Sequence, residues 1–584
     1  MFIEHPSAVP LSANWVVTRT LILDQSTVKS HSTLGGVNLS MAQIGAVSCA
    51  GATLHNDSGP AVYADWLQAD GGVLLKDEFS ATGAGELGAV RLLGARIRGQ
   101  LNCAGATLRN DSGPALYADL LHTDGGVLLN DGFSATGAGK HSAVRLLGAH
   151  IGSQLNCIGA TLRNDSGPAL DADGLLADSD VGLFDGFSAV GAGELGAVRL
   201  TGAHIGGQLN CAGATLRNDS GPALSADRLQ SDGGAHLRDG FSAIGAGELG
   251  AVRLTGAHIG GQLACDQATL RNDSGPALYA DRLQTDRDVF LGDGFSATGA
   301  GELGAVRLTG AHIGSHLDFA GATLRNDSGP ALKADGLQSN GPVSLDGSFS
   351  ATGAGKNVVL DLTDLRVKGT LFFGPTRLEH IHDAHARLAV DGLVYPGLSY
   401  GTSTGSWLRL LREATPVYSA QPYQQLAAAQ RSAGHDREAR RVLIQQRRDQ
   451  IHRRALTGRA ERTWARLTGL LLGYGYQPWR ALWGLLATLI LAALITTLLG
   501  AHGGLAQVQT PPTPTPAACT LLERLGVGLD LGTPLISTGE RAHCDTTNST
   551  TGQALTVLGW GLRLLAWSFA TLFIAGFTGA VRKT

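Results

Sequence analysis

GAVRLTGAHIGGQLNCAGATLRNDSGPALSADRLQSDGGAHLRDGFSAIGAGEL, residues Gly196–Leu249, decides the fold, because the chain repeats it without a slip. NDSGP begins at Asn56, Asn110, Asn164, Asn218, Asn272 and Asn326, a constant step that makes the unit about 54 residues long. A unit of fixed length that cannot bury its own apolar side must bury it against the next copy, and one insertion would displace every later side chain. Within the unit, Val198, Leu200, Ile205, Leu209, Leu216, Leu224, Leu229, Leu237 and Phe241 come in short alternating bursts between Gly, Asp, Asn, Ser and Pro. Such bursts are too short for amphipathic helices and have the period of strands. The expected fold is therefore mainly β, a β-solenoid. Two coils of about 27 residues or three of about 18 would each divide the unit, with ~4.8 Å between stacked strands. Partial units extend the register at both ends, at Gly35–Leu54 and at Asn357–Leu378, the latter with bulkier residues suited to a cap.

Charge divides the chain. Residues 1–400 hold 26 basic and 40 acidic side chains, whereas residues 401–500 hold 14 basic and 5 acidic ones. The expected organisation is an N-terminal segment (1–34), solenoid repeats (35–380), a linker and basic helical neck (381–470), a first transmembrane helix (481–500), an extracytoplasmic loop (501–553) and a second transmembrane helix (554–581). In the neck, Tyr423, Leu426 and Ala427, then Ala439, Val442 and Leu443 beyond Gly434, fall at helical spacings and predict a hairpin. It resembles one tetratricopeptide-type helix pair, too little for the groove of an array, and packing against the rod's end suits it better. Arginine then accumulates at Arg440, Arg441, Arg447, Arg448, Arg453, Arg454, Arg459, Arg462 and Arg466. A solvated helix face is one reading. The position just before a membrane span favours attraction to anionic lipid headgroups, with Arg447, Arg448, Arg453 and Arg454 facing lipid. Without aromatic interleaving or a recognition motif, nucleic acid is not expected as a partner.

Ala481–Leu499 and Leu564–Val581 are uncharged and long enough to cross a bilayer. Arg563, at the edge of the second stretch, is expected to reach outer headgroups. Ala575 and Gly579 have the spacing of a close helix contact, with the other span or within a homo-oligomer. The arginine-rich neck and the Arg582–Lys583 end belong inside by the positive-inside rule. No signal sequence opens the chain, so the solenoid and both termini are expected in the cytoplasm and the protein in the inner (plasma) membrane. Cys49, Cys103, Cys157, Cys211 and Cys265 share one repeat position, which Phe319 takes in the next copy, so they are expected to pack rather than react. Cys519 and Cys544 lie in the loop assigned to the oxidising side and are a candidate disulfide.

Other patterns invite chemistry that their context refuses. GAGELG at Gly191–Gly196 and its copies satisfies G-x-G-x-x-G, but precedes a strand instead of opening a helix. His150, His204, His258 and His312 recur one per unit on an outward position, too far apart to share a metal. GYGY at Gly473–Tyr476 precedes the first span, where Tyr474, Tyr476 and Trp479 suit interfacial anchoring. No catalytic, cofactor or metal constellation is read from the residues.

Leu200–Leu216 (LTGAHIGGQLNCAGATL), Gln421–Leu443, GYGYQPWRAL (Gly473–Leu482) and GFTGAVRK (Gly576–Lys583) together resemble bacterial two-span membrane proteins with an N-terminal repetitive, pentapeptide-like β-solenoid. These are often labelled membrane-associated oxidoreductases, and the resemblance implies that activity as one alternative, visible as a bound flavin or nicotinamide. Shape and placement favour a membrane-tethered cytoplasmic scaffold or interaction module with a cytoplasmic protein partner. A subunit of an oligomeric pore is the second alternative. Val527–Ile536 (VGLDLGTPLI) sits where a pore loop would, without a carbonyl-filter sequence.

Overall fold

The computed structural model describes residues 2–5, 9–356, 358–381, 387–397, 403–453, 458–474, 476–508, 517–533 and 537–578. Two compact units divide the chain, Met1–Gly434 and His435–Thr584.

The first unit is a parallel β-solenoid of about 14 turns. One sheet has 15 strands, each of four residues, and Thr53, Ser80 and Thr107 pair in succession, so a turn takes about 27 residues. A second sheet of 15 two-residue strands steps alternately by 28 and 26, from Val62 to Val90 to Leu116 to Val144. The third has 26 strands, two per turn over most of its length. It begins as the unbroken strands Val17–Ile22 and Gln43–Ser48, after which each turn is split in two, at glycines in most turns. These glycines let coils touch: a Cβ on Gly99 would lie 2.7 Å from Gly71 C and Gly72 N.

Strand alternation sends leucine and asparagine inward from Thr215–Asn218 and leaves Thr215 and Arg217 exposed. In register, leucine separates the repeat cysteines, as in Leu183, Cys211, Leu237 and Cys265, all within 1 % of full burial. The inward polar position explains why two coils make one sequence unit. Asn218 donates Nδ2 to the Gly193 carbonyl at 3.0 Å and accepts from the Ser220 and Gly221 amides at 3.0 and 3.1 Å. The neighbouring coil carries Gly191 there, where a Cβ would stand 2.7 Å from Ala197 Cα. An asparagine corner therefore alternates with a glycine corner.

The solenoid runs past both expected bounds, 35 and 380, since Leu388–Ala389 still pairs with Leu360–Asp361, while the helix Gln421–Ser432 packs on the rod's end as expected. Phe2–His5 pairs with Thr27–Ser30, so residues set apart as an N-terminal segment already form a coil. The far end is closed by helices α1 (Thr404–Glu413) and α2 (Gln421–Ser432). Trp407 is buried 5.0 Å from the Phe373 ring, the Arg387 and Leu388 amides bond the Ala414 carbonyl, and Gln421 Nε2 donates to Leu393 O. Backbone groups and apolar side chains that a further coil would cover are thus capped.

The second unit holds α3 (Asp436–His452), α4 (Arg459–Leu472), α5 (Trp479–Leu499), α6 (Leu521–Gly532) and α7 (Thr550–Phe577). Segments Trp479–Gly504 and Thr550–Phe577 are long and apolar enough to cross a membrane, with mean hydropathies of 2.3 and 1.6. Phe569 of α7 fills the space over Gly484 of α5, where a Cβ would meet its ring at 2.6 Å. Gly579 of the expected contact pair lies outside the described residues.

Candidate functional site

Outward columns of side chains run along the solenoid, and the sequence reading identified one of them. On the second sheet, Tyr63, Arg91, Tyr117 and Arg145 stand in register, followed by Asp171 and Arg199. The Arg91 guanidinium lies 4.5 Å from the Tyr117 ring centroid, Arg145 lies 4.9 Å from the same ring, and Arg307 lies 5.2 Å from Tyr279. Each of these arginines also reaches an aspartate one coil earlier: Arg91 to Asp65 at 2.8 Å, Arg145 to Asp119 at 2.6 Å, Arg307 to Asp281 at 2.6 Å, with Arg199 to Asp173 and Arg253 to Asp227 alike. The same aspartates accept a backbone amide from the next corner, as Asp119 does from Leu147. For Arg145, burial opposes its charge, but the Asp119 hydrogen bond and charge outweigh burial and hold its pKa above the ordinary value. Burial raises the Asp171 carboxyl, against the pull of Arg199. The ladder is a structural clamp between coils, each of these arginines paired with an aspartate. Its signal was an aspartate at a fixed distance before each arginine, a spacing that means nothing until coil length is known.

The histidine column lies on the third sheet, outward. His150 Nε2 is 3.1 Å from Asp178 and His258 is 3.2 Å from Asp286. Gln230 and Gln284 occupy intervening coils. One histidine the sequence reading overlooked, His122, fills such an intervening place, and its ring centroid is 4.7 Å from that of His150. Adjacent coils thus bring two imidazoles together, although among the described residues no group of three metal-ligating side chains forms.

The repeat cysteines are buried, and burial pushes the Cys103 and Cys211 thiols up to about 12, away from the reactive thiolate. The glycines of GAGELG form a corner: Gly191 ends a strand, Gly193 and Gly196 have φ of 105° and 125°, and strand Val198–Arg199 follows. No helix begins there to receive a phosphate.

In the second unit, the sulfurs of Cys519 and Cys544 are bonded, with their Cα atoms 6.1 Å apart. Between them, α6 runs back along α5. A Cβ on Gly528 would be 2.8 Å from Ala493 Cα, and one on Gly532 would meet Ala492 and Leu489 at 3.1 Å. Leu489 is ten residues before the end of α5, so the C-terminal end of α6 lies ~15 Å along that helix. Arg563 does not simply extend away from the helices: its Nη2 donates to the Asp530 carbonyl of α6 at 3.3 Å. Asp530 is 3 % exposed, with Oδ1 accepting from the Thr538 amide and Oδ2 without a hydrogen bond among the described residues. Of the neck arginines, Arg448 is exposed, Arg447 is half-buried and donates to Gln450 at 3.2 Å, and Arg453 caps α3. Arg454, the Thr510–Pro516 spacer, Pro534–Ile536 and Arg582–Lys583 lie outside the described residues.

No family model, curated protein or solved structure matches the chain.

Proposed function

We propose that the chain is a membrane-tethered scaffold whose solenoid, on the cytoplasmic side, binds protein partners along its outward columns. The supporting observation is the continuity of these columns, which repeat one side chain per coil, in a chain that also carries two helices long and apolar enough to cross a bilayer. Arginine enrichment before α5 favours a cytoplasmic neck, and the Cys519–Cys544 bond favours an oxidising environment for the loop. The protein purified from solubilised membranes should retain a partner, identified by mass spectrometry. That partner should be lost when outward His204, Gln230 and His258 are replaced together by alanine. Retention of no protein, or of the same protein by the triple variant, removes the scaffold reading.

A pore subunit is the second reading, favoured by α6, which packs alongside α5 through Gly528 and Gly532 while Arg563 meets its C-terminal end. Two spans per chain require several copies around a pore. Ion flux in reconstituted vesicles supports this reading, and its absence at a density giving several copies per vesicle removes it.

A further inference from the structure

Because the coils are so alike, departures from the repeat mark places where stacking is not the only demand. The densest set converges on one groove near the N-terminal half of the rod. At the corner after the second sheet, the backbone is left-handed. Gly94, Gly148, Gly202 and Gly256 meet that demand in alternate coils, whereas in the coils between them Trp66, Leu120, Arg228 and Arg282 occupy it with φ of 56°, 54°, 55° and 56°. Long side chains resist this conformation, and of these four only Trp66 and Leu120 add apolar surface there, in neighbouring repeats. The Trp66 indole lies over Gly94, where a Cβ would come within 2.5 Å of the ring, and the side chain remains 50 % exposed.

The neighbouring column departs as well. Arg96 stands where later units have His204 and His258, Arg98 where they have Gly206 and Gly260, and His122 where they have Gln230 and Gln284. Trp66, Arg96, Arg98, Leu120, His122 and His150 line one open groove of about 560 Å³, together with two aspartates. Its formal charges balance in number, Arg96 and Arg98 against Asp70 and Asp124, with Arg98 3.2 Å from Asp70 and His122 3.4 Å from Asp124. The surrounding rod is acidic, with 40 acidic to 26 basic side chains through residue 400. Polyanions are therefore disfavoured as occupants. An exposed indole ringed by paired planar donors and acceptors suits an uncharged ligand with a C–H face to stack and vicinal hydroxyls to bond. Trp15 and Met41 continue the left-handed corner column, both exposed, with φ of 60° and 57°. Trp15 is two coils from Trp66, ~9.6 Å at strand spacing, about the length of two linked pyranose rings.

We propose that this groove binds a neutral, chain-like carbohydrate, with a sugar ring stacked on Trp66 and hydroxyls held by the Arg98–Asp70 pair and His122. The test is calorimetric titration of the full chain in lipid nanodiscs, free of sugar-headed detergent, with cello-, laminari-, malto- and chitopentaose. At least one should bind and perturb tryptophan fluorescence. Trp66→Gly, restoring the residue that this corner carries at Gly174 and Gly336, should weaken binding about tenfold without lowering the melting temperature. Arg98→Gly, the residue of later units, should also weaken binding, and serves if the first variant does not fold. Arg228→Ala, at an equivalent corner farther along, should leave it unchanged. Binding of none of the four sugars, undiminished binding by Trp66→Gly or Arg98→Gly, or preference for a decathymidylate strand would overturn the proposal.

Discussion

Asn218 uses both ends of its amide inside the rod, so no apolar side chain of similar size can stand in for it. Asn218→Ala would leave the Gly193 carbonyl and the Ser220 and Gly221 amides short of partners. A loss of about 1–3 kcal/mol is expected in chemical denaturation. Leu216, fully buried, is more demanding still. Leu216→Asp should cost several kcal/mol by burying an unpaired charge, and an unchanged melting temperature would contradict its inward placement. The cysteines supply a pH dependence. Burial raises the Cys211 thiol from its ordinary 9.0 to about 12, so the unfolded chain releases that proton first. Stability is full below pH 9 and falls towards pH 12, by about 1.4 kcal/mol per pH unit for each such thiol. Alkaline unfolding followed by circular dichroism should be less steep in Cys211→Ala. The inward leucines and cysteines were legible from alternation and from Phe319 taking the sixth cysteine place. The asparagine role was not, because its acceptor, the Gly193 carbonyl, belongs to the preceding coil and is remote in sequence.

At the level of elements, the unit of tolerance should be the pair of coils. Deleting residues 196–249 removes one asparagine corner and one glycine corner together and rejoins matching neighbours. Deleting only 196–222 places two coils of the same kind against each other and strips the Arg–Asp partnerships between them. The first variant should melt cooperatively near the parent temperature, and the second should lose several degrees or aggregate. Equal melting would show that the alternation carries no structural weight. In the second unit, Gly528→Val would push a side chain against Ala493 Cα, a backbone atom that cannot move aside. Faster reduction of the Cys519–Cys544 bond in that variant would report the displacement of α6. Strands and spans were readable from short alternation and long uncharged runs. The packing of α6 was not, since its glycines and leucines carry too weak a period to announce a helix seated on another.

For the whole molecule, the proposed placement in a membrane is tested by sidedness and by contact with lipid. A membrane-impermeant thiol reagent should leave Cys157 unlabelled in sealed cells and reach Cys519 and Cys544 only after reduction. Labelling of Cys157 there, once its reactivity after permeabilisation and unfolding is established, inverts the topology. Replacing Arg447, Arg448, Arg453 and Arg454 with glutamine should weaken binding of a peptide spanning residues 436–458 to anionic vesicles. The parent peptide should bind less as salt rises, since each arginine near the surface contributes about 1 kcal/mol that a Debye layer screens. Sequence alone determined that the chain stacks, because a constant step with inward alternation leaves no other way to bury the apolar side. It also marked the two apolar helices, because crossing hydrocarbon needs only length and the absence of charge. Tertiary structure decided the rest: how much chain one turn consumes, the Arg–Asp–Tyr clamp, the meeting of His122 with His150, and the seat of α6 on α5. These relations join residues far apart in the chain, and their distances exist only after the coils are wound and the helices packed.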